Sequence, residues 1–134
     1  MSLRAIPLLI LAFILYNVIV FTFGREGLES ALFTPKMLSG GEWSFRWGDL
    51  ILLVTLILLF IEIVKSTFTS TSTLIDHALS MVVFIAILVE FLMVPQAATS
   101  VFFLILVAAL IDVIAGYTIG IRVAKRDLSI GGDQ

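Results

Sequence analysis

Four long apolar runs occupy most of this chain, and three carboxylates, Glu62, Glu90 and Asp112, sit inside them. That pairing constrains the fold more than any other feature. A run of about 20 apolar residues, rising about 1.5 Å per residue in a helix, is the length that crosses a hydrocarbon core about 30 Å thick. Hydrophobic residues make up 60% of the 134 positions and charged residues 13%, where an ordinary soluble domain carries about a quarter charged. A soluble fold this small buries too little of its surface to hide so much apolar material. The runs fall at about 5–23, 48–64, 74–94 and 101–121, with a long loop over 24–47. Within hydrocarbon every backbone N–H and C=O needs an internal partner, so only helices or closed barrels cross. The runs lack the period-two alternation of barrel strands. The expectation is an all-α membrane protein, a single domain over 1–134, with four transmembrane helices in an antiparallel up-down bundle.

Arg4 followed by an apolar stretch resembles a secretory leader. The stretch is longer than a leader core, however, and Gly24-Arg25-Glu26-Gly27 follows it where a cleavage site needs small residues. It reads as a retained first helix, with Pro7 tolerated near its start because the first turn leaves that N–H unpaired anyway. Short hydroxyl-rich and proline-containing connections at 65–73 and 95–100 favour antiparallel neighbours. Thr73 with Asp76 has the form of a helix-opening box, and Thr99 or Ser100 can cap the last helix. Arg4, Lys65, Arg122, Lys125 and Arg126 flank one side, and Arg25, Lys36 and Arg46 the other. The excess of basic residues on the first side puts both termini in the cytoplasm of a multi-pass protein, with a bacterial inner membrane as the expected location.

The polar groups inside the runs carry what functional signal there is. A carboxylate near mid-membrane costs about 2.5–3.5 kcal/mol on insertion scales, so Asp112 should face protein or trapped water. Ala108, Asp112, Gly116 and Gly120 recur every four residues and share one side of a helix. The Gly116-to-Gly120 step is a small-residue pattern that lets another helix approach, within the chain or from a second subunit. Glu62 stands three residues before Lys65, an ion-pair spacing, with Thr55 and Ser66 on the same face. Glu90 lies toward the outer end of the third run, within reach of a hydrogen bond from Tyr16 or Asn17. By depth the order from the cytoplasm outward is Glu62, Asp112, Asn17, Glu90, a candidate ion pathway or polar core. Trp43, Phe45 and Trp47 close the outer loop as an interfacial aromatic anchor, or else as part of a short hairpin that meets a partner.

Other function classes find no support. There is no cysteine, and His77 is the sole histidine, so a bis-histidine haem, a thiol centre or a histidine-rich zinc site within one chain is not expected. No phosphate loop and no catalytic serine or metalloprotease signature is present. A net charge of −2 offers no basic field for nucleic acid. The expectation is therefore a non-enzymatic protein without cofactor or metal. Its partners are the lipid bilayer and either another membrane protein or further copies of itself. It would act as an accessory or scaffold subunit through helix contacts. The alternative is a small oligomeric proton or cation channel or transporter that uses the intramembrane carboxylates.

Overall fold

The computed structural model describes residues 6–67 and 71–132, without the side chains at 71–74, 120, 123–124 and 126–132. Arg4, the start of the first run at Ala5, the Thr73 hydroxyl, the surroundings of Gly120 and the side chain of Arg126 therefore lie outside the described residues. Among those described are four helices: α1 (Leu9–Phe23), α2 (Trp47–Lys65), α3 (Thr71–Met93) and α4 (Ser100–Gly132). A two-stranded ribbon, β1 (Ala31–Phe33) with β2 (Phe45–Arg46), precedes α2. The chain is mostly helical, with the small ribbon as an addition to the four helices. Three helical segments, Trp47–Lys65, Ile75–Met93 and Ser100–Ile119, are long and apolar enough to cross a membrane. With 15 residues, α1 is shorter than the run predicts, because its first helical residue is Leu9. α4 is longer than predicted and continues as helix to Gly132 through its polar end.

Each boundary has a local cause. Gly24 ends α1 at φ +78°, a conformation open to a residue without Cβ, while its N–H still bonds Val20 O at 2.8 Å. A 3₁₀ turn over Arg25–Glu29 then drops Leu28 into the interior. Gly48, in the first turn of α2, sits where that turn and the start of α4 converge. A Cβ there would lie 2.9 Å from Val101 Cγ2 and 3.2 Å from Leu28 O. Pro95 stops α3, and a second 3₁₀ turn, Pro95–Ala97, buries Ala97. Thr99 caps α4, its hydroxyl accepting from Phe102 N–H at 3.2 Å.

The ribbon explains the alternation of aromatic and polar residues in the loop. Phe33 pairs with Phe45 across the strands, their rings stacked at 5.0 Å, and Trp43 meets both edge-on at 6.1 and 5.5 Å. Residues two apart on a strand share a face, which puts Trp43 and Phe45 together. Trp47 belongs instead to the first turn of α2. Beyond the strands the ladder continues through a Lys36–Glu42 bridge to a tight turn at Gly40, and Leu38 is fully exposed at the tip.

The interior is built around α4, which packs on both α2 and α3, while α1 leans chiefly on α2. Tyr16, Ile51, Ile87, Phe102 and Ile105 are completely buried. Phe102 lies 4.8 Å from the Tyr16 ring, with Phe13 and Phe91 beyond it. The Tyr16 hydroxyl donates to Gln96 O at 2.8 Å or shares its proton with Thr99 Oγ1 at 2.7 Å. It fastens the α3–α4 turn onto α1. Tyr16→Phe removes both interactions at a buried position and should lower stability by about 1–2 kcal/mol. Thermal unfolding in detergent checks this, with Phe13→Leu as a partner that changes packing but no hydrogen bond.

Candidate functional site

The start of α1, the end of α2, the start of α3 and the middle of α4 converge on one group of buried polar side chains. Glu62 is its anchor. Its Oε1 accepts the Leu8 N–H at 2.6 Å and the Lys65 ammonium at 3.1 Å. The first turn of a helix has unpaired N–H groups, and α1 has no side-chain cap of its own. Glu62 supplies that cap from a neighbouring helix and sits favourably at the positive end of the helix dipole. Lys65 lies in the last turn of α2, where a cation suits the negative end. From there it also donates to Ile6 O at 3.0 Å and stands 3.6 Å from Asp76 Oδ2 on α3.

Asp76 is followed one turn later by Ser80, whose hydroxyl bonds back to Asp76 O at 2.9 Å. Asp112 on α4 lies beside Ser80, within the electrostatic reach of Glu62, Asp76 and Lys65. These acids are deeply enclosed: Glu62 and Asp76 are 2% exposed and Asp112 is 5% exposed. His77 packs edgewise on α4. A Cβ on Gly116 would meet its ring at 3.1 Å, and the Tyr117 ring centroid is 5.4 Å away. Among the described residues, Asp76 Oδ1 and His77 Nε2 are buried without a hydrogen-bond partner.

The residues singled out by sequence divide into two groups. Glu62 and Asp112 share this junction. Thr55 and Ser66, expected on the face of Glu62, are buried with it, and each hydroxyl bonds back to a carbonyl of its own helix. Asn17 and Glu90 lie together elsewhere. The Asn17 amide donates to Phe13 O at 2.9 Å, Tyr16 is engaged by Gln96 and Thr99, and Glu90 Oε2 is buried without a partner. Between the two groups come Val83, Phe84 and Ile87 on α3, and Ile105 and Phe102 on α4. Ser80 and Glu90 are ten residues apart, about 15 Å along the helix axis. Ala108 and Gly116 are buried on the α4 face that carries Asp112, and Gly116 is filled by His77 of the same chain. Trp43 and Phe45 belong to the ribbon, far along α2 from Glu62.

No family model, curated protein or solved structure matches this chain. Among the described residues, no three of His, Cys, Asp or Glu gather closely enough to hold a metal ion.

The sequence reading missed Asp76 as a partner of Lys65 and the burial of His77 and Ser80. Asp76 and Ser80 are four residues apart, and that face signal was available. Their pairing with α2 crosses a loop and leaves no spacing signature. Lys65→Met should destabilise the protein by about 3 kcal/mol, since it strips the cation from the buried Glu62 carboxylate. The lower end of the usual range applies because the lysine side chain is 18% exposed. Adding Glu62→Gln to that variant should restore part of the loss in the same unfolding assay.

Proposed function

We propose that this chain is an integral protein of a bacterial inner membrane that works by contact, as an accessory or scaffold subunit of a larger membrane assembly. Its helices form an antiparallel up-down bundle, with both termini in the cytoplasm and the aromatic ribbon on the outer side. The membrane part of this reading is supported by the distribution of side chains. Phe21, Leu56, Phe60, Val82, Leu92 and Ile114 are exposed, while Glu62, Asp76 and Asp112 are turned inward. Water would favour the reverse; hydrocarbon favours this arrangement. α1, about 22 Å long, is short for a core of about 30 Å, and a local adjustment of the bilayer or flanking residues accommodates such a mismatch at modest cost.

The observation that carries the contact reading is the ribbon. Phe33 and Trp43 remain about half exposed although stacked into an aromatic group, and Leu38 stands free at the tip. Exposed aromatic residues on an ordered element are the side chains that anchor interfaces.

A second reading, a small oligomeric proton or cation pathway, draws on the buried acids. Against a route through a single chain stands the apolar stretch that parts Glu62 and Asp112 from Asn17 and Glu90.

Photocrosslinkers placed in native membranes test the contact reading. A probe at Leu38 or Trp43 should give a discrete protein adduct, whereas one at Leu56 should give mainly lipid adducts. No protein adduct from either ribbon position, together with a monomer after gentle extraction, would remove the reading. For the second reading, ion flux into dye-loaded liposomes should depend on both acids. Flux unchanged in an Asp112→Asn, Glu90→Gln variant would eliminate them as carriers.

A further inference from the structure

The ionic junction does not balance its own charge. Among the described residues three carboxylates, Glu62, Asp76 and Asp112, meet one ammonium, Lys65. Three negative charges less one positive leave two in excess, at positions that are 2%, 2% and 5% exposed. Buried charges without partners are neutralised by taking up a proton or a counter-ion. The hydrogen bonds say where. Glu62 is matched, since one oxygen accepts both Leu8 N–H and Lys65 Nζ. Asp76 is half matched, with Oδ2 at 3.6 Å from Lys65 and Oδ1 buried and unpartnered. Among the described residues no cation pairs directly with Asp112; the Ser80 hydroxyl lies beside it, and the like charges of Glu62 and Asp76 are nearby.

The other groups facing the junction do not fill this deficit. His77 Nε2 is unpartnered and lies against Gly116 and the Tyr117 ring. Among the described residues, the segment leading into α1 contributes backbone groups, Ile6 O and Leu8 N–H. A metal ion needs several donors converging on one point, and the described acids and histidine do not converge in that way. A proton needs a single oxygen.

We propose that the junction is a proton-binding site in which Asp76 and Asp112 each hold an exchangeable proton. The bond formed is a carboxyl O–H, and on release the proton passes to water. Exchange takes place from the Lys65 end, where the lysine side chain is 18% exposed. Toward the other end Ile87, Ile105 and Phe102 are completely buried and close the way. The site is independent of the contact reading, since it requires neither a partner nor transport.

Infrared spectroscopy of the full chain in liposomes near neutral pH tests it, because a protonated carboxyl has a C=O stretch separate from that of a carboxylate. The expected result is a carboxyl band that shifts in heavy water, shrinks in Asp76→Asn and in Asp112→Asn, and disappears in the double variant. Glu90→Gln serves as the control for the half-buried acid outside the junction. Absence of the band in the unaltered protein overturns the proposal. So does a band removed by Glu90→Gln alone, or one that does not shift in heavy water. An amide matches a protonated carboxyl in size and charge, so unfolding of both single variants, seen by circular dichroism, counts against it as well.

Discussion

Lys65 is the one cation among the described residues that reaches into the interior, and it joins three segments at once. It pairs with Glu62 on its own helix, approaches Asp76 on α3 and donates to Ile6 ahead of α1. Taking an ion out of water costs several kcal/mol even after relaxation, by the usual order of magnitude, and a pair recovers this only with good geometry and further hydrogen bonds. Glu62 meets that condition through Leu8 N–H. The contribution of the junction is therefore best understood as selection of one alignment rather than as a large net gain in stability. On the membrane reading, apolar helix faces gain little from choosing each other over lipid tails. Sliding α3 by one turn, about 5.4 Å, would take Asp76 off Lys65 and leave the lysine with Glu62 alone.

A second polar fastening holds the opposite end. Tyr16 reaches from α1 to the turn between α3 and α4, where Gln96 and Thr99 receive it. Thr99 is shared between that contact and the cap of α4, so one hydroxyl helps fix both where α4 begins and what lies beside it. Between the two fastenings the interior is apolar, with Ile51, Ile87, Phe102 and Ile105 excluded from solvent. This separation is why depth order alone is a poor guide to an ion route. Glu62, Asp112, Asn17 and Glu90 can be ranked along the helix axes, yet the packing gathers them as two groups rather than as one ladder.

How much of this could be read from sequence follows from the range of each interaction. The lengths of α2 and α3 were legible because apolar runs and Pro95 mark them. The Glu62–Lys65 pair was legible because three residues along a helix bring side chains together. The ribbon left a trace in the Trp43-Ser44-Phe45-Arg46 alternation, which fits a strand as well as an interfacial belt. By contrast, Tyr16 and Thr99 are 83 residues apart. Glu62 is capped onto α1 by a backbone N–H, a donor that has no residue type. The length of α4 was hidden because its last turns are polar, and polarity ends an apolar run without ending a helix. α1 came out short for a related reason: Pro7 and its neighbours are apolar enough to extend the run but do not extend the helix.

The small-residue face of α4 illustrates the same limit. A glycine every four residues lets something come close, but the sequence does not say what. At Gly116 it is His77 of the same chain, near enough that a single added methyl group would press on the imidazole ring. That position is therefore occupied and cannot also receive a second copy. Ala108 is likewise buried, on the side of α4 that carries Asp112. The surfaces left for lipid or for a partner are the large apolar ones, such as Leu56 and Phe60 on α2, Val82 and Leu92 on α3 and Ile114 on α4, together with the aromatic ribbon. Small residues in this chain bring its own helices together around a polar centre, and its outward contacts fall to bulky side chains.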